Sequence, residues 1–284
     1  MKRYFYPLFL IIVLLFATKA NAQQSTPATT TEKKQCKFPF KLNVGADIMS
    51  RYIWRGMDYG NSASIQPTLS FNLGGFELGY WGAVALTTNY LESDLYLKYT
   101  FKGFSACITD YYIPALASNV NDTRYGFCKS PHAINFDTIS GINTTKYTAH
   151  TLEGMLCYKG PEKFPISVMV ASYVYGNDKT PTDTVFTNSK LVKTVNYKNR
   201  YSTYIELGYS FTIKQFNFDV FAGATPFSSA YSSPAYTGGF AVVNTGVTAY
   251  RNIKITEHFS LPLKASVIYN PQSSGFHFVF GLTL

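Results

Sequence analysis

From residue 40 to residue 284, apolar and polar side chains alternate in segments of about ten residues. The last segment shows this pattern most clearly, because every second position is occupied by Phe276, Phe278, Phe280, Leu282 and Leu284. Successive side chains of a β-strand point to opposite faces, so the alternation predicts strands with one apolar face. The predicted strands span residues 40–55, 63–73, 76–87, 92–102, 104–113, 147–158, 164–175, 200–213, 215–224, 240–255, 260–270 and 275–284.

Short turns and longer links alternate between these predicted strands. The longer links occupy residues 56–62, 88–91, 114–146, 176–199, 225–239 and 271–274. Outer-membrane barrels have short periplasmic turns and longer external loops, and twelve strands that start in the periplasm place every short turn there. A strand of about ten residues tilted by about 40° spans about 25 Å, the height of a lipid-facing band. The chain is therefore predicted to be all-β, a transmembrane antiparallel up-and-down β-barrel of about twelve strands, of the outer-membrane type, over residues 40–284.

The amino-terminal residues have the layout of a secretory signal peptide. Lys2 and Arg3 precede an apolar run at 7–17, and the residues at 20–22 form an A-x-A cleavage site. The apolar run is shorter than the roughly 20 residues that a membrane-spanning helix needs. We expect a signal peptide at 1–22, then a disordered periplasmic leader at 23–39, rich in Thr, Gln, Pro and Lys. This export signal predicts a location in the outer membrane of a Gram-negative bacterium.

The composition favours a membrane barrel over a soluble domain. Charged residues make up 14% of the chain and aromatic residues 17%, whereas soluble domains carry about 25% charged residues. The net charge is +9, but Lys and Arg are spread over strand ends and loops without a basic block, so nucleic acid is not an expected partner. The expected partners are outer-membrane lipids and small polar solutes or ions, and the sequence indicates no particular protein partner.

The alternation also assigns charged and large polar side chains to the inner face of the barrel. A Lys or Arg on the lipid face at mid-depth costs about 2–4 kcal/mol, which favours an inward position for ionisable groups. The predicted lumen-lining residues are Asp47, Arg51, Arg55, Trp81, Asp94, Tyr96, Lys98, Glu153, Glu206 and Asp219. Asp110 departs from this rule, and a bulge near the external end is expected to re-aim it.

This charged lumen has two interpretations. In the first, rings of charge line a narrow polar pore and set its ion preference. In the second, a salt-bridged plug holds the barrel closed, because twelve strands give a backbone radius of only roughly 11–12 Å. Long inward side chains such as Arg51, Arg55, Trp81 and Tyr96 would fill much of that space.

The chain contains four cysteines, Cys36, Cys107, Cys128 and Cys157. Cys107 and Cys157 fall on the inward faces of adjacent predicted strands, and the periplasm permits disulfides. A cross-strand disulfide between these two residues is one expectation, and four free thiols are the alternative.

Candidate catalytic residues are few. Some outer-membrane barrels are hydrolases that need a His near the external rim, and the candidates here are His132 and His150, the latter opposite Asp110. No nucleophile motif and no paired-His metal spacing accompanies them. The sequence therefore predicts a protein that is not an enzyme and has no cofactor or metal site.

The stretch at 50–83 resembles the amino-terminal region of a known family. It contains an S-x-Y-x-x-R-G segment, a Q-P pair, a Gly-rich turn and a G-x-W-G strand, and the segment at 92–101 continues the likeness. The residues that carry it are Ser50, Tyr52, Arg55, Gly56, Gln66, Gly79, Trp81 and Gly82. In these features the chain resembles the TorF-type porin family of Gram-negative outer-membrane β-barrels, and the inserts at 114–146 and 176–199 depart from it. The resemblance implies a porin-like role.

Together these patterns predict a porin-like channel that passes ions or small polar solutes through a narrow charged lumen. The alternative is a non-conducting barrel that acts as an adhesin or scaffold through its long external loops. Conductance in planar bilayers distinguishes the two functions.

Overall fold

The computed structural model describes residues 40–113, 150–187, 192–232 and 239–284. Sixteen strands occupy these residues: β1 (Phe40–Met49), β2 (Tyr52–Trp54), β3 (Met57–Tyr59), β4 (Ser64–Leu73), β5 (Phe76–Ala85), β6 (Leu91–Phe101), β7 (Phe104–Tyr112), β8 (His150–Lys159), β9 (Ile166–Gly176), β10 (Lys179–Thr187), β11 (Val192–Asn199), β12 (Thr203–Ile213), β13 (Phe216–Thr225), β14 (Ala241–Lys254), β15 (Ser260–Asn270) and β16 (Gly275–Thr283). The predicted signal peptide (1–22) and leader (23–39) lie outside the described residues, as do Cys36, Cys128 and His132.

Twelve of these strands close into one antiparallel barrel, which confirms the predicted fold class. Each barrel strand pairs with the barrel strands before and after it in the chain, the up-and-down order. The other four strands form two separate hairpins, β2–β3 and β10–β11. In the described stretches, no helix is long and apolar enough to cross a membrane.

β1 completes the barrel by pairing on both of its edges. It pairs over its full length with β4, from Phe40 opposite Leu73 to Met49 opposite Ser64. It also pairs with β16 at Asp47, Ile48 and Met49. Closure satisfies backbone groups that the edge strands of an open sheet would leave exposed.

The connections define two ends of the barrel. The short-turn end has the links at 74–75, 102–103, 160–165, 214–215 and 255–259, and the long-loop end has those at 50–63, 86–90, 113–149, 177–202, 226–240 and 271–274. At the short-turn end, Lys102 and Gly103 have φ angles of 47° and 84°. Positive φ at both turn residues is typical of the two-residue I′ turn, whose twist matches that of the strands it joins.

The two faces of the barrel wall have opposite polarity. Large apolar side chains cover the outer face; Leu97, Leu207 and Phe280, for example, are 46%, 59% and 60% exposed. Inward positions of the same wall hold buried polar groups such as Asp94 and Glu153. Soluble domains bury their apolar residues and rarely expose large continuous apolar surface, so this outer face is suited to a hydrocarbon environment.

The predicted first strand, 40–55, is too long. β1 ends at Met49, and residues 52–59 turn back on themselves as the hairpin β2–β3. Its turn residues, Arg55 and Gly56, have φ angles of 51° and 79°, so the chain cannot continue there as an extended strand. Arg51 and Arg55 consequently belong to the link between β1 and β4 and not to a strand of the barrel wall. The link predicted at 176–199 likewise contains the hairpin β10–β11.

The predicted disulfide between Cys107 and Cys157 is wrong, because both thiols are free. The register of β7 and β8 places Cys107 opposite Met155, and Cys157 opposite Ser105. The two cysteines are therefore diagonal neighbours. Diagonal pairs are about 7–8 Å apart, beyond the Cα separation of about 7 Å that a disulfide tolerates.

Candidate functional site

The β2–β3 hairpin, residues 52–59, folds into the lumen and is called the inner hairpin below. Its turn is attached to the barrel wall: the side-chain amide of Asn270 on β15 donates a hydrogen bond of 3.2 Å to the carbonyl oxygen of Gly56. A Cβ atom at Gly56 would lie 2.0 Å from the carbonyl oxygen of Val243 on β14. Only glycine combines the positive φ of this turn with so close an approach to another backbone.

Arg55, at the turn of the inner hairpin, forms a two-pronged ion pair with Glu153 on β8. The guanidinium Nη1 and Nη2 lie 2.5 Å and 3.0 Å from Glu153 Oε1 and Oε2. The side chains of Arg55 and Glu153 are 6% and 0% exposed. Nη1 also donates a hydrogen bond of 2.6 Å to the Tyr231 hydroxyl, so a residue of the link between β13 and β14 joins the same cluster.

Two tyrosines complete the hydrogen bonding of the Glu153 carboxylate. The Tyr231 hydroxyl donates to Oε1 and the Tyr111 hydroxyl donates to Oε2, each over 2.8 Å. Burial disfavours the charged form of Arg55, but the adjacent Glu153 carboxylate more than offsets this, and the pKa of Arg55 is raised above its ordinary value. A buried pair of this kind is costly to break from one side, by about 3–5 kcal/mol, because the remaining charge has no partner.

Aromatic rings pack around the inner hairpin. The Trp54 ring lies 5.5 Å from that of Tyr111 and 5.7 Å from that of Tyr231, and the Tyr52 ring lies 5.2 Å from that of Trp81. The guanidinium of Arg55 stacks over Trp54, 4.3 Å from the ring centre. Ring pairs at these separations contribute about 0.5–1.5 kcal/mol each beyond their buried area. The hairpin is therefore held by packing as well as by its ion pair.

Arg51 lies at the base of the inner hairpin. Its guanidinium pairs with Asp58 and hydrogen-bonds Asn61, two residues on the returning arm of the link. Its side chain is 40% exposed, so this pair is close to the solvent at the long-loop end and contributes little to stability.

Three more of the predicted lumen residues form ion pairs or hydrogen bonds between strands of the wall. Lys264 donates a hydrogen bond of 2.7 Å to Asp47, which joins β15 to β1. The Glu77 carboxylate lies 2.5 Å from the Lys98 amine and accepts a hydrogen bond of 2.8 Å from the Tyr96 hydroxyl. Sequence analysis missed Lys264 and Glu77, although both alternate with apolar neighbours and the same period-two rule identifies them.

Asp94 and Trp81 face each other on adjacent strands near the long-loop end. Asp94 is buried, and so is Glu92, a second carboxylate that sequence analysis did not select. The Tyr90 hydroxyl donates to Glu92 over 2.6 Å. These groups lie beside Tyr52, whose ring is 6.1 Å from that of Tyr90. They form the part of the wall on which the inner hairpin rests.

The last two predicted lumen residues, Glu206 and Asp219, line a cavity of about 380 Å³ between the inner hairpin and the short-turn end, called the lower chamber below. Asp219 accepts a hydrogen bond of 2.6 Å from Ser210. Glu206 accepts hydrogen bonds from Tyr204 and from the Asn244 amide, the latter over 3.2 Å. Arg55 and Gly56 of the inner hairpin contribute to its lining.

The structure therefore brings Arg55 and Glu153 together, places Trp81 and Asp94 beside the inner hairpin, and puts Glu206 and Asp219 below it. Asp47, Tyr96 and Lys98 lie elsewhere on the wall. Because alternation assigns a face but no depth, sequence analysis could not separate these groups.

Asp110 is not re-aimed by a bulge as expected. It lies in regular register opposite Leu95 and Leu152, and the shift in this region falls instead between β8 and β9. Asp110 Oδ2 lies 2.9 Å from Nδ1 of His150 at the long-loop end, so the carboxylate has a hydrogen-bond partner on the adjacent strand. Among the described residues, no cluster of three His, Cys, Asp or Glu side chains has the arrangement of a metal site.

Comparison with known proteins gives no match: no family model fits this chain, and no curated protein is significantly similar in sequence.

Proposed function

We propose that this protein is an outer-membrane channel for ions or small polar solutes, closed in this conformation by the inner hairpin. The observation that carries the proposal is the polarity of the closed barrel, which is apolar outside and charged inside. An apolar exterior matches lipid, and a polar interior is the environment in which hydrated solutes cross a membrane. The proposed location is the outer membrane of a Gram-negative bacterium, with its lipids as the surrounding partners.

The resemblance to TorF-type porins supports this proposal, and it rests only on the residues quoted for it. Several of those residues lie in or against the inner hairpin, including Tyr52, Arg55, Gly56 and Trp81. In the proposed channel, the S-x-Y-x-x-R-G segment is therefore part of the structure that closes the lumen.

The inner hairpin is the proposed gate. It is bound to the wall through the Arg55–Glu153 pair and through Asn270, and it is continuous with the barrel only at 50–51 and 60–63. When these contacts break, the hairpin can leave the lumen toward the long-loop end, because both of its connections lie there. The lumen would then be limited by the wall and by the side chains that project from it.

Replacement of residues 52–59 by a short Gly-Ser link tests the proposal. We expect the wild-type protein to show low, intermittent conductance in planar bilayers, and the variant to show an ohmic conductance several-fold higher. A matched control is Lys98→Met with Glu77→Gln, which removes a lumen ion pair outside the hairpin contacts and should leave the gating unchanged.

If neither the wild-type protein nor the hairpin replacement conducts, although both are folded barrels, the channel function is wrong. The adhesin or scaffold alternative would then account for the barrel. Heat-dependent mobility on gels and the β-sheet circular dichroism spectrum establish that each variant is folded.

A further inference from the structure

The lower chamber has the chemistry of a ligand site. We propose that it binds a small organic cation carrying N–H donors, such as an alkyl ammonium or a guanidinium compound. The proposal relies on the channel function only for the route by which the ligand enters. The volume of the lower chamber, about 380 Å³, lies at the lower end of the ~300–1,000 Å³ typical of small-molecule pockets.

The first argument is the charge of the chamber wall. Glu206 and Asp219 both line the chamber, and neither forms an ion pair with any described residue. Two lumen carboxylates outside the chamber differ in this respect: Asp47 is paired with Lys264, and Glu153 with Arg55. Two carboxylates that no ion pair neutralises make the chamber attractive to a positively charged ligand.

The second argument is a buried acceptor on the same wall. Asn244 lines the chamber, is 6% exposed, and has a side-chain oxygen with no hydrogen-bond partner among the described residues. Its amide nitrogen donates to the Tyr204 hydroxyl over 2.9 Å and to Glu206, which fixes the amide with its oxygen unsatisfied. Buried acceptors are normally paired, so an unsatisfied one indicates a missing donor. A ligand with several N–H groups supplies donors to both carboxylates of this wall.

The remaining lining explains why the ligand should be small and partly apolar. Ile53, Phe221 and Ile268 give the chamber an apolar side on which methylene groups can pack. The two cations of the lining are Arg55, which is neutralised by Glu153, and Lys159, which is exposed at the end of β8. Lys159 therefore opposes a cationic ligand only at the rim.

Calorimetric titration of the full-length protein in neutral detergent micelles tests the site with 1,4-diaminobutane as the probe. We expect saturable binding of the diamine and none of 1,4-butanediol or succinate, which share its chain length but are neutral or anionic. Glu206→Gln and Asp219→Asn should each weaken binding about tenfold, the effect of losing a charge-assisted hydrogen bond. Glu77→Gln removes a lumen carboxylate outside the chamber and should leave the affinity unchanged.

Lys159→Gln should change the affinity in the opposite direction, because removal of a cation at the rim should tighten diamine binding. The proposal is overturned if butanediol binds as well as the diamine, if the Glu206→Gln/Asp219→Asn double variant keeps the wild-type affinity, or if Lys159→Gln weakens binding. Diamine binding without conductance would refute the channel and keep the site, whereas conductance without diamine binding would refute the site and keep the channel.

Discussion

Arg55 and Glu153 are 98 residues apart in the chain, yet they share two hydrogen bonds inside the barrel. The carboxylate has four hydrogen-bonding contacts, two with the guanidinium and one each with the hydroxyls of Tyr111 and Tyr231. These hydrogen bonds offset much of the free energy that the two ions lose when they leave water. The pair therefore fixes the position of the inner hairpin more than it adds net stability.

A double-mutant cycle on this pair measures that coupling. We expect Arg55→Met and Glu153→Gln each to lower the free energy of unfolding by about 3–5 kcal/mol, because each leaves a buried group without its partner. The double variant should lose less than the sum of the two single changes. Urea unfolding of the barrel from phosphatidylcholine vesicles gives the values, and additive losses would show that the two residues do not act as a pair.

At the scale of elements, the inner hairpin differs from the barrel strands around it. A two-stranded hairpin is marginally stable by itself in water, so its conformation depends on the rings and the wall that enclose it. Its short turn, with Arg55 and Gly56 both at positive φ, allows Trp54 and Met57 to pack against the cluster that contains Tyr204 and Val243. The hairpin is thus a local structure whose position is determined by tertiary contacts.

Gly56→Ala tests the close approach of this turn to the wall. The substitution adds a Cβ at a φ of +79° and 2.0 Å from the Val243 carbonyl oxygen, so the turn must move away from β14. We expect a higher open probability in planar bilayers and a loss of stability clearly greater than in Gly74→Ala.

Gly74 is a matched control, because its φ of +58° is also left-handed but no atom lies within 4 Å of the added Cβ. Its substitution should cost only the backbone strain, about 1–2 kcal/mol. Equal effects of the two substitutions would mean that Gly56 serves only the turn and that contact with the wall is unimportant.

At the scale of the whole barrel, the two faces of the wall have opposite polarity. The outer face is covered with side chains such as Leu97 and Phe280, and the inner face with hydrogen-bonded polar groups. In water this outer face would be a very large exposed apolar patch. The barrel is therefore expected to be stable only in a bilayer or a micelle.

Two arginine substitutions on the outer face test the proposed membrane position. Leu97 lies inside β6, and Leu73 is the last residue of β4, next to a short turn. Leu97→Arg should destabilise the barrel in vesicles by about 2–4 kcal/mol, whereas Leu73→Arg should cost about 0–1 kcal/mol because it lies near the interface. Equal costs at the two depths, measured by urea unfolding, would contradict a hydrocarbon band at this height.

The sequence by itself determined the barrel strands and the two faces of the wall. Eleven of the twelve predicted strands overlap barrel strands with bounds that differ by at most three residues, as for 63–73 against Ser64–Leu73 and 147–158 against His150–Lys159. This succeeded because alternation is a local property: each strand has an apolar outer face and a polar face toward the lumen, whatever its neighbours are. Turn residues such as Lys102 and Gly103 are equally local.

Only the tertiary structure decided what occupies the lumen. Arg55 reads as a continuation of the first strand, and its place at a hairpin turn depends on contacts with Glu153, Val243 and Asn270, which are remote in the chain. Cys107 and Cys157 lie on the same face, but the register of β7 and β8 makes them diagonal neighbours and not a directly opposed pair. A side-chain period of two assigns a face and leaves register, depth and partners undetermined. Those are fixed by contacts across the closed barrel, where residues far apart in sequence meet.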